Sequence, residues 1–229
     1  MLHSTREYQM SRNMNTRRSL YIICLLLLSA VGNKLDAQTV VKSVRQANDS
    51  TNHALIHQIG FDVRPGYVAP TNSFLEGDNA QRQKIDRSLS LHLKYAFQFS
   101  KDSYLGRLYP HAYQGIGVSH NTFYNSAELG NPVAVYAFQG APIVRLSSCL
   151  SLDYEWNFGA SFGWKQYDEH SNWYNDAIGS KINAYINLGF VLNWQFYPQW
   201  KLAAGVDFTH FSNGNTRYPN GGLNTIGGR

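Results

Sequence analysis

Cysteine is scarce in this chain. Among its 229 residues only Cys24 and Cys149 carry a thiol. The first lies in a segment that reads as a removable leader, so no internal disulfide is available to the remainder. Charge is scarce too: Asp, Glu, Lys and Arg make up 15% of the chain, with a formal net charge of +5. Arg6, Arg12, Arg17, Arg18 and Lys34 against Glu7 and Asp36 account for +3 of that, which leaves the body near +2. Without a basic arm, the composition argues against nucleic acid as a partner. After the leader there is no apolar run of 18 residues, so no membrane-spanning helix is expected. Hydropathy alone reads as a soluble protein.

The leader is legible from its parts. Arg17 and Arg18 precede an apolar run from Leu20 to Val31, which is followed by Leu35-Asp36-Ala37 and then Gln38. A basic start, an apolar run too short to span and a small residue at the cut describe a secretory signal peptide over 1–37. Translation starting at Met10 or Met14 would give it ordinary length. No cysteine sits where a lipoprotein would need one. Residues 38–56 begin with a Gln-, Ser-, Asn- and Asp-rich stretch and are expected to form a mobile periplasmic segment. Residues 57–229 remain as one domain by length.

What the chain has is alternation. Every odd position from Leu89 to Phe99 is apolar, and every even position between them except Ala96 is polar. In 150–164, Leu152, Tyr154, Trp156, Phe158, Ala160, Phe162 and Trp164 share one face. In 181–196, Ile182, Ala184, Ile186, Leu188, Phe190, Leu192, Trp194 and Phe196 do the same. Period-two patterns longer than an ordinary strand, with aromatics at the ends of the apolar strip, point to a transmembrane β-barrel. Weaker segments at 57–68, 112–123, 132–142, 200–212 and one beginning near 222 bring the count to eight. The fold class is therefore all-β, an eight-stranded antiparallel transmembrane barrel. A soluble sandwich or lipocalin-like barrel also alternates. Its apolar face would have to point inward, however, and these faces are too aromatic to fill so small a barrel. The opposite face offers Arg64, Lys94, Asp153, Glu155, Lys181 and Asp207 as a polar filling.

Orientation follows from the loops. With the N-terminus in the periplasm, long loops at 69–84, 121–131, 165–179 and 213–221 fall outside and the Tyr197-Pro198-Gln199 turn inside. The linkers at 100–111 and 140–148 are long for inner turns. Strand seven then ends at the outer rim with His210 and Ser212 two residues apart, on the lipid-facing side with Leu202, Ala204, Val206 and Phe208. Lipid there is lipopolysaccharide, and a serine–histidine pair beside an apolar strip suits an esterase acting on a lipid.

The stretch His210-Phe211-Ser212-Asn213, followed by Pro219-Asn220-Gly221-Gly222-Leu223-Asn224, resembles the active-site segment of the PagL-type lipid A 3-O-deacylases. These are eight-stranded outer-membrane barrels with a serine–histidine–carboxylate triad on the outer wall. Val63-Arg64-Pro65-Gly66-Tyr67 near the first strand is similar to this group as well. The resemblance implies removal of the ester-linked acyl chain at position 3 of lipid A, with Ser212 as nucleophile and His210 as base. It implies Asn213 as oxyanion donor and no metal or cofactor. It implies lipopolysaccharide, the outer membrane and the barrel-assembly machinery as partners. The family's carboxylate falls by spacing on Asn224, an amide that can orient an imidazole but not stabilise imidazolium as a carboxylate does. The rival reading is a non-catalytic small outer-membrane barrel, serving as structural anchor or surface-interaction protein. A pore is disfavoured because side chains fill eight strands.

Other candidates have plainer explanations. Ser119-His120 are adjacent on a strand and point to opposite faces. His170-Ser171 lie in a loop, and Ser212-Asn213-Gly214-Asn215 are themselves ordinary turn formers. His53 and His57 have metal-site spacing only on a helix. Asp153 and Glu155 read as partners of Lys94, Lys181 or Arg64 rather than as a catalytic pair. Gly115-Ile116-Gly117 is a pair of strand glycines, since no helix follows it. Finally, the last strand has only eight residues from Gly222 to Arg229, where a tilted crossing needs roughly 9–11. The final residues also lack the terminal aromatic of such barrels. The expectation is that the protein continues for about ten more residues.

Overall fold

The computed structural model describes residues 55–229. The expected leader over 1–37 and nearly all of the segment over 38–56 lie outside the described residues. Eight strands run in chain order: β1 (Ile56–Val68), β2 (Arg87–Gln98), β3 (Tyr113–Thr122), β4 (Gly130–Arg145), β5 (Leu150–Trp164), β6 (Ile182–Tyr197), β7 (Trp200–Ser212) and β8 (Leu223–Gly228). Each pairs antiparallel with the next, and β8 returns to β1, closing a barrel. Closure is short: β8 meets β1 through Gly66↔Gly227, Tyr67↔Ile226 and Val68↔Thr225. No helix among the described residues is long and apolar enough to cross a membrane.

The alternation sorts the side chains as expected. Ile59 (83% exposed), Phe61, Leu93, Ile116, Phe158, Leu188 and Val206 cover the outside. Arg64, His92, Lys94, Glu155, Asn157, Asn187 and Asp207 are buried inside. This is an inverted protein, apolar where a soluble barrel is wet, and it suits a lipid solvent.

The polar interior is an ion network. Lys94 Nζ donates to both Glu155 oxygens at 2.7 Å. Arg229 donates to Glu155 at 2.8 Å and lies 3.2 Å from Asp62. Arg64 reaches Asp62 at 2.7 Å and Asp207 at 3.2 Å. Three cations and three carboxylates thus neutralise one another in the barrel interior. Above this network the interior turns aromatic: Phe123, Trp164, Tyr185 and Phe211 pack with centroids 5.1–5.9 Å apart. Phe74, Leu75, Leu129 and Ile178 from the long loops continue this core and seal that end.

Five features depart from the sequence expectations or add to them. Trp164 does not share the outward face of β5. Gly163 adopts a left-handed φ of +87°, which reverses the side-chain parity after it. The indole turns inward, stacks on Phe123 and donates to Ser161 Oγ at 2.8 Å. Lys181 is not in the lumen: it precedes β6 and is exposed. The expected linker at 140–148 is mostly strand, because β4 continues to Arg145 through a bulge between Pro142 and Val144. Residues 100–111 contain a short helix, α2 (Tyr104–Leu108), capped by Ser103. The first long loop contains another, α1 (Ser73–Glu76), capped by Asn72.

Candidate active site

The inward residues at the end of β7 hold the strand, and the outward ones lie on the wall under the 213–222 loop, with His210 half-buried and Ser212 buried. Asp207 is tied to Arg64, and Thr209 Oγ1 accepts from Asn187 Nδ2 at 2.8 Å. Phe211 is buried in the aromatic cluster. His210 and Ser212, between and beyond these, therefore project to the wall, in line with Val206 and Phe208. On β8, Leu223 and Thr225 are buried, so Asn224 projects outward with Ile226.

Register does the rest. His210 lies directly opposite Asn224, and His210 Nδ1 is 2.6 Å from Asn224 Oδ1. With an amide oxygen as acceptor, Nδ1 carries the proton and Nε2 keeps its lone pair. That is the tautomer a general base needs at Nε2. Gly222, at φ +69°, passes close beneath the ring: a Cβ there would sit 3.3 Å from His210 Cε1.

Ser212 is on the same face but is not bonded to His210. Its Oγ accepts from Asn220 Nδ2 at 3.1 Å and from the Gly214 N–H at 3.0 Å. Asn220 Oδ1 in turn accepts from the Asn213 N–H at 3.1 Å. Asn213 spends its own amide on the Arg217 carbonyl at 2.7 Å. Asn220 is thus a site residue that the sequence reading placed within the active-site-like segment but gave no role of its own. Its signal was its place six residues after Gly214 in a loop that has to fold back on its own strand end.

The loop from 213 to 222 is braced from two sides. Gly221 and Gly222 N–H donate to the Asp176 and Ala177 carbonyls at 2.9 and 3.0 Å. From the α1 loop, Asn72 Nδ2 donates to the Gly222 carbonyl at 3.4 Å, and Ala69 N–H donates to that of Asn224 at 2.9 Å. The site is therefore built by three of the four long loops on one rim.

The remaining candidates do not assemble. Ser119 is buried and His120 exposed, on opposite faces of β3. His170 lies beside Glu169, while Ser171 donates to Asp168 at 2.9 Å and holds that carboxyl below the usual carboxylate range. His57 Nδ1 pairs with Tyr95 OH at 2.7 Å, and His53 lies outside the described residues. Glu155 is occupied by cations, and Asp153 accepts from Asn193 at 2.8 Å. Gly115 and Gly117 are strand residues of β3.

A barrel with an apolar exterior and a histidine–amide–serine group on its wall narrows the field, and the family comparison decides it. The lipid A 3-O-deacylase (PagL) family model matches residues 88–229, which takes in all but the first residue of β2, then β3 to β8, and His210, Ser212, Asn213, Asn220 and Asn224. The chain belongs to the PagL family. No curated protein and no solved structure matches it. Membership in PagL supports a lipid A deacylase in general terms.

Proposed function

We propose that this chain is an outer-membrane esterase that removes the acyl chain ester-linked at the 3-O position of lipid A. The observation that carries the reading is the 2.6 Å contact between His210 and Asn224 on the lipid-facing wall, two residues from Ser212 along β7. Residues 1–37 direct export, residues 38–56 stay in the periplasm, and the assembly machinery inserts the barrel.

Rotation of Ser212 about its Cα–Cβ bond turns Oγ from Asn220 toward His210 Nε2. Oγ then attacks the ester carbonyl as Nε2 takes its proton. The oxyanion is held by Asn220 Nδ2, by the Gly214 N–H and by Asn213 once its amide leaves Arg217. Collapse breaks the acyl C–O bond. The sugar 3-oxygen leaves with the proton from His210, and the acyl group stays on Ser212. Water, deprotonated by His210, releases the fatty acid. Asn224 orients the imidazole but carries no charge to balance the imidazolium, so turnover is slow beside a carboxylate triad.

A non-catalytic anchor is the second reading, favoured by the engagement of Ser212 Oγ with Asn220 rather than His210. Mass spectrometry of lipid A from cells expressing the chain separates the two. Loss of one 3-O acyl chain, abolished by Ser212→Ala or His210→Ala in a barrel that keeps heat-modifiable mobility, supports the esterase. Unchanged lipid A with the native sequence supports the anchor.

A further inference from the structure

A second feature lies on the same wall, just beyond Ser212. An open cleft of about 490 Å³ is lined by Gln166, Ser180, Lys181, Ile182, Thr216 and Arg217. Two of the six are cations, none is acidic, and both cations are exposed. Among the described residues neither has a carboxylate within ion-pair distance, unlike the matched charges of the lumen.

The cleft is held in place from both sides. Ser180 Oγ donates to the Ile182 carbonyl at 2.7 Å, and Asn183 Nδ2 donates to the Ser180 carbonyl at 2.9 Å, which fixes the backbone around Lys181. In the resting site the Asn213 amide donates to the Arg217 carbonyl at 2.7 Å. The two loops are pressed together at Gly179, where a Cβ would lie 2.2 Å from the Pro219 carbonyl oxygen. Two cations lining one cleft, with no carboxylate to balance either, offer a site to an anion.

Its position along the wall is informative. Ser212 pairs with Ala184, and His210 with Ile186. Ile182, at the foot of the cleft, lies two residues farther out on the same face, about 7 Å at the strand rise. An ester at Ser212 therefore has an apolar wall on one side, toward Ile186 and Phe208. On the other side, about one sugar ring away, it has paired cations.

We propose that Lys181 and Arg217 form the headgroup subsite of this active site, binding a phosphate monoester carried by the sugar of the substrate. The charge pair sets the height of the glycolipid on the wall, so that an ester next to the phosphorylated sugar meets Ser212. The proposal rests on the esterase reading above, but its test does not need turnover.

The test uses the Ser212→Ala chain in detergent micelles, with binding read by native mass spectrometry. The probes are phosphorylated lipid A and the same lipid A stripped by phosphatase. The parent binds the phosphorylated form about tenfold more tightly or better, the scale of one charge-assisted contact. Adding Lys181→Gln and Arg217→Gln together removes that preference, and each alone removes part of it. Binding of the stripped lipid is unchanged throughout, which also shows that the barrel is intact. A parent without preference, or a double variant that keeps it, overturns the proposal. So does displacement of phosphorylated lipid A by inorganic phosphate at equal concentration, which would mark a simple anion site. Failure of the esterase reading shows elsewhere, as unchanged lipid A in cells expressing the native sequence.

Discussion

His210 on β7 and Asn224 on β8 are direct register partners, and their side chains meet at 2.6 Å although 14 residues separate them in the chain. The pairing orients the imidazole through a neutral acceptor. Asn224→Glu supplies the missing charge at the same position. We expect deacylation to rise by about tenfold or more, in the direction opposite to the loss seen when a triad carboxylate becomes an amide. Mass spectrometry of lipid A over a time course measures it. An unchanged rate would remove Asn224 from the catalytic group.

Asn220 holds Ser212 Oγ through its amide N–H and braces the Asn213 backbone through its oxygen. Asn220→Asp keeps the acceptor and removes the donor. The expected result is a fall in kcat of about 10²–10³, the usual cost of one oxyanion donor, with little change in KM. An equal loss from KM alone would assign Asn220 to substrate binding instead.

Gly222 sits at φ +69° with His210 Cε1 and the Phe211 carbonyl oxygen 3.3 Å from where a Cβ would be. Gly222→Ala adds a side chain in a left-handed conformation, which costs on the order of 1 kcal/mol. It also pushes against the imidazole. We expect reduced deacylation from a barrel that still assembles and migrates as heat-modifiable. Activity equal to that of the native sequence would show that the ring has room to yield.

Glu155 lies among Lys94, Arg229 and Arg64, and also accepts from Tyr113 OH at 3.3 Å. Glu155→Ala leaves buried cations unmatched, a loss of about 3–5 kcal/mol. Glu155→Gln keeps the acceptor oxygen and costs less. The midpoint of urea unfolding in detergent should fall in that order. If both variants unfold with the native sequence, water rather than Glu155 screens the lumen.

Much of this was legible in the residues themselves. Side-chain direction in a strand depends only on parity, so Leu89 to Phe99 and Leu152 to Phe162 declare their faces without knowledge of their neighbours. The same rule put His210 and Ser212 on the lipid side. It failed at Trp164, the last residue of β5, because the left-handed Gly163 before it reverses the parity, and nothing in a period-two pattern marks φ. It failed at Lys181 because the strand begins one residue later, and a rim side chain escapes the alternation.

Contacts between strands and loops lie beyond any local pattern. The sequence determined by itself that the chain closes into eight strands with a polar inside, and that a histidine and a serine share an outer face. Only the tertiary structure gave the register and distance at which Asn224, set beside His210 by the resemblance, meets it, and decided that Asn220 rather than His210 holds Ser212 and that Lys181 and Arg217 line one cleft. The physical reason is range: alternation is a property of neighbouring residues. Register between β7 and β8, and the seating of the 213–222 loop against residues 176 and 177, depend on closing the barrel and packing its loops as one body.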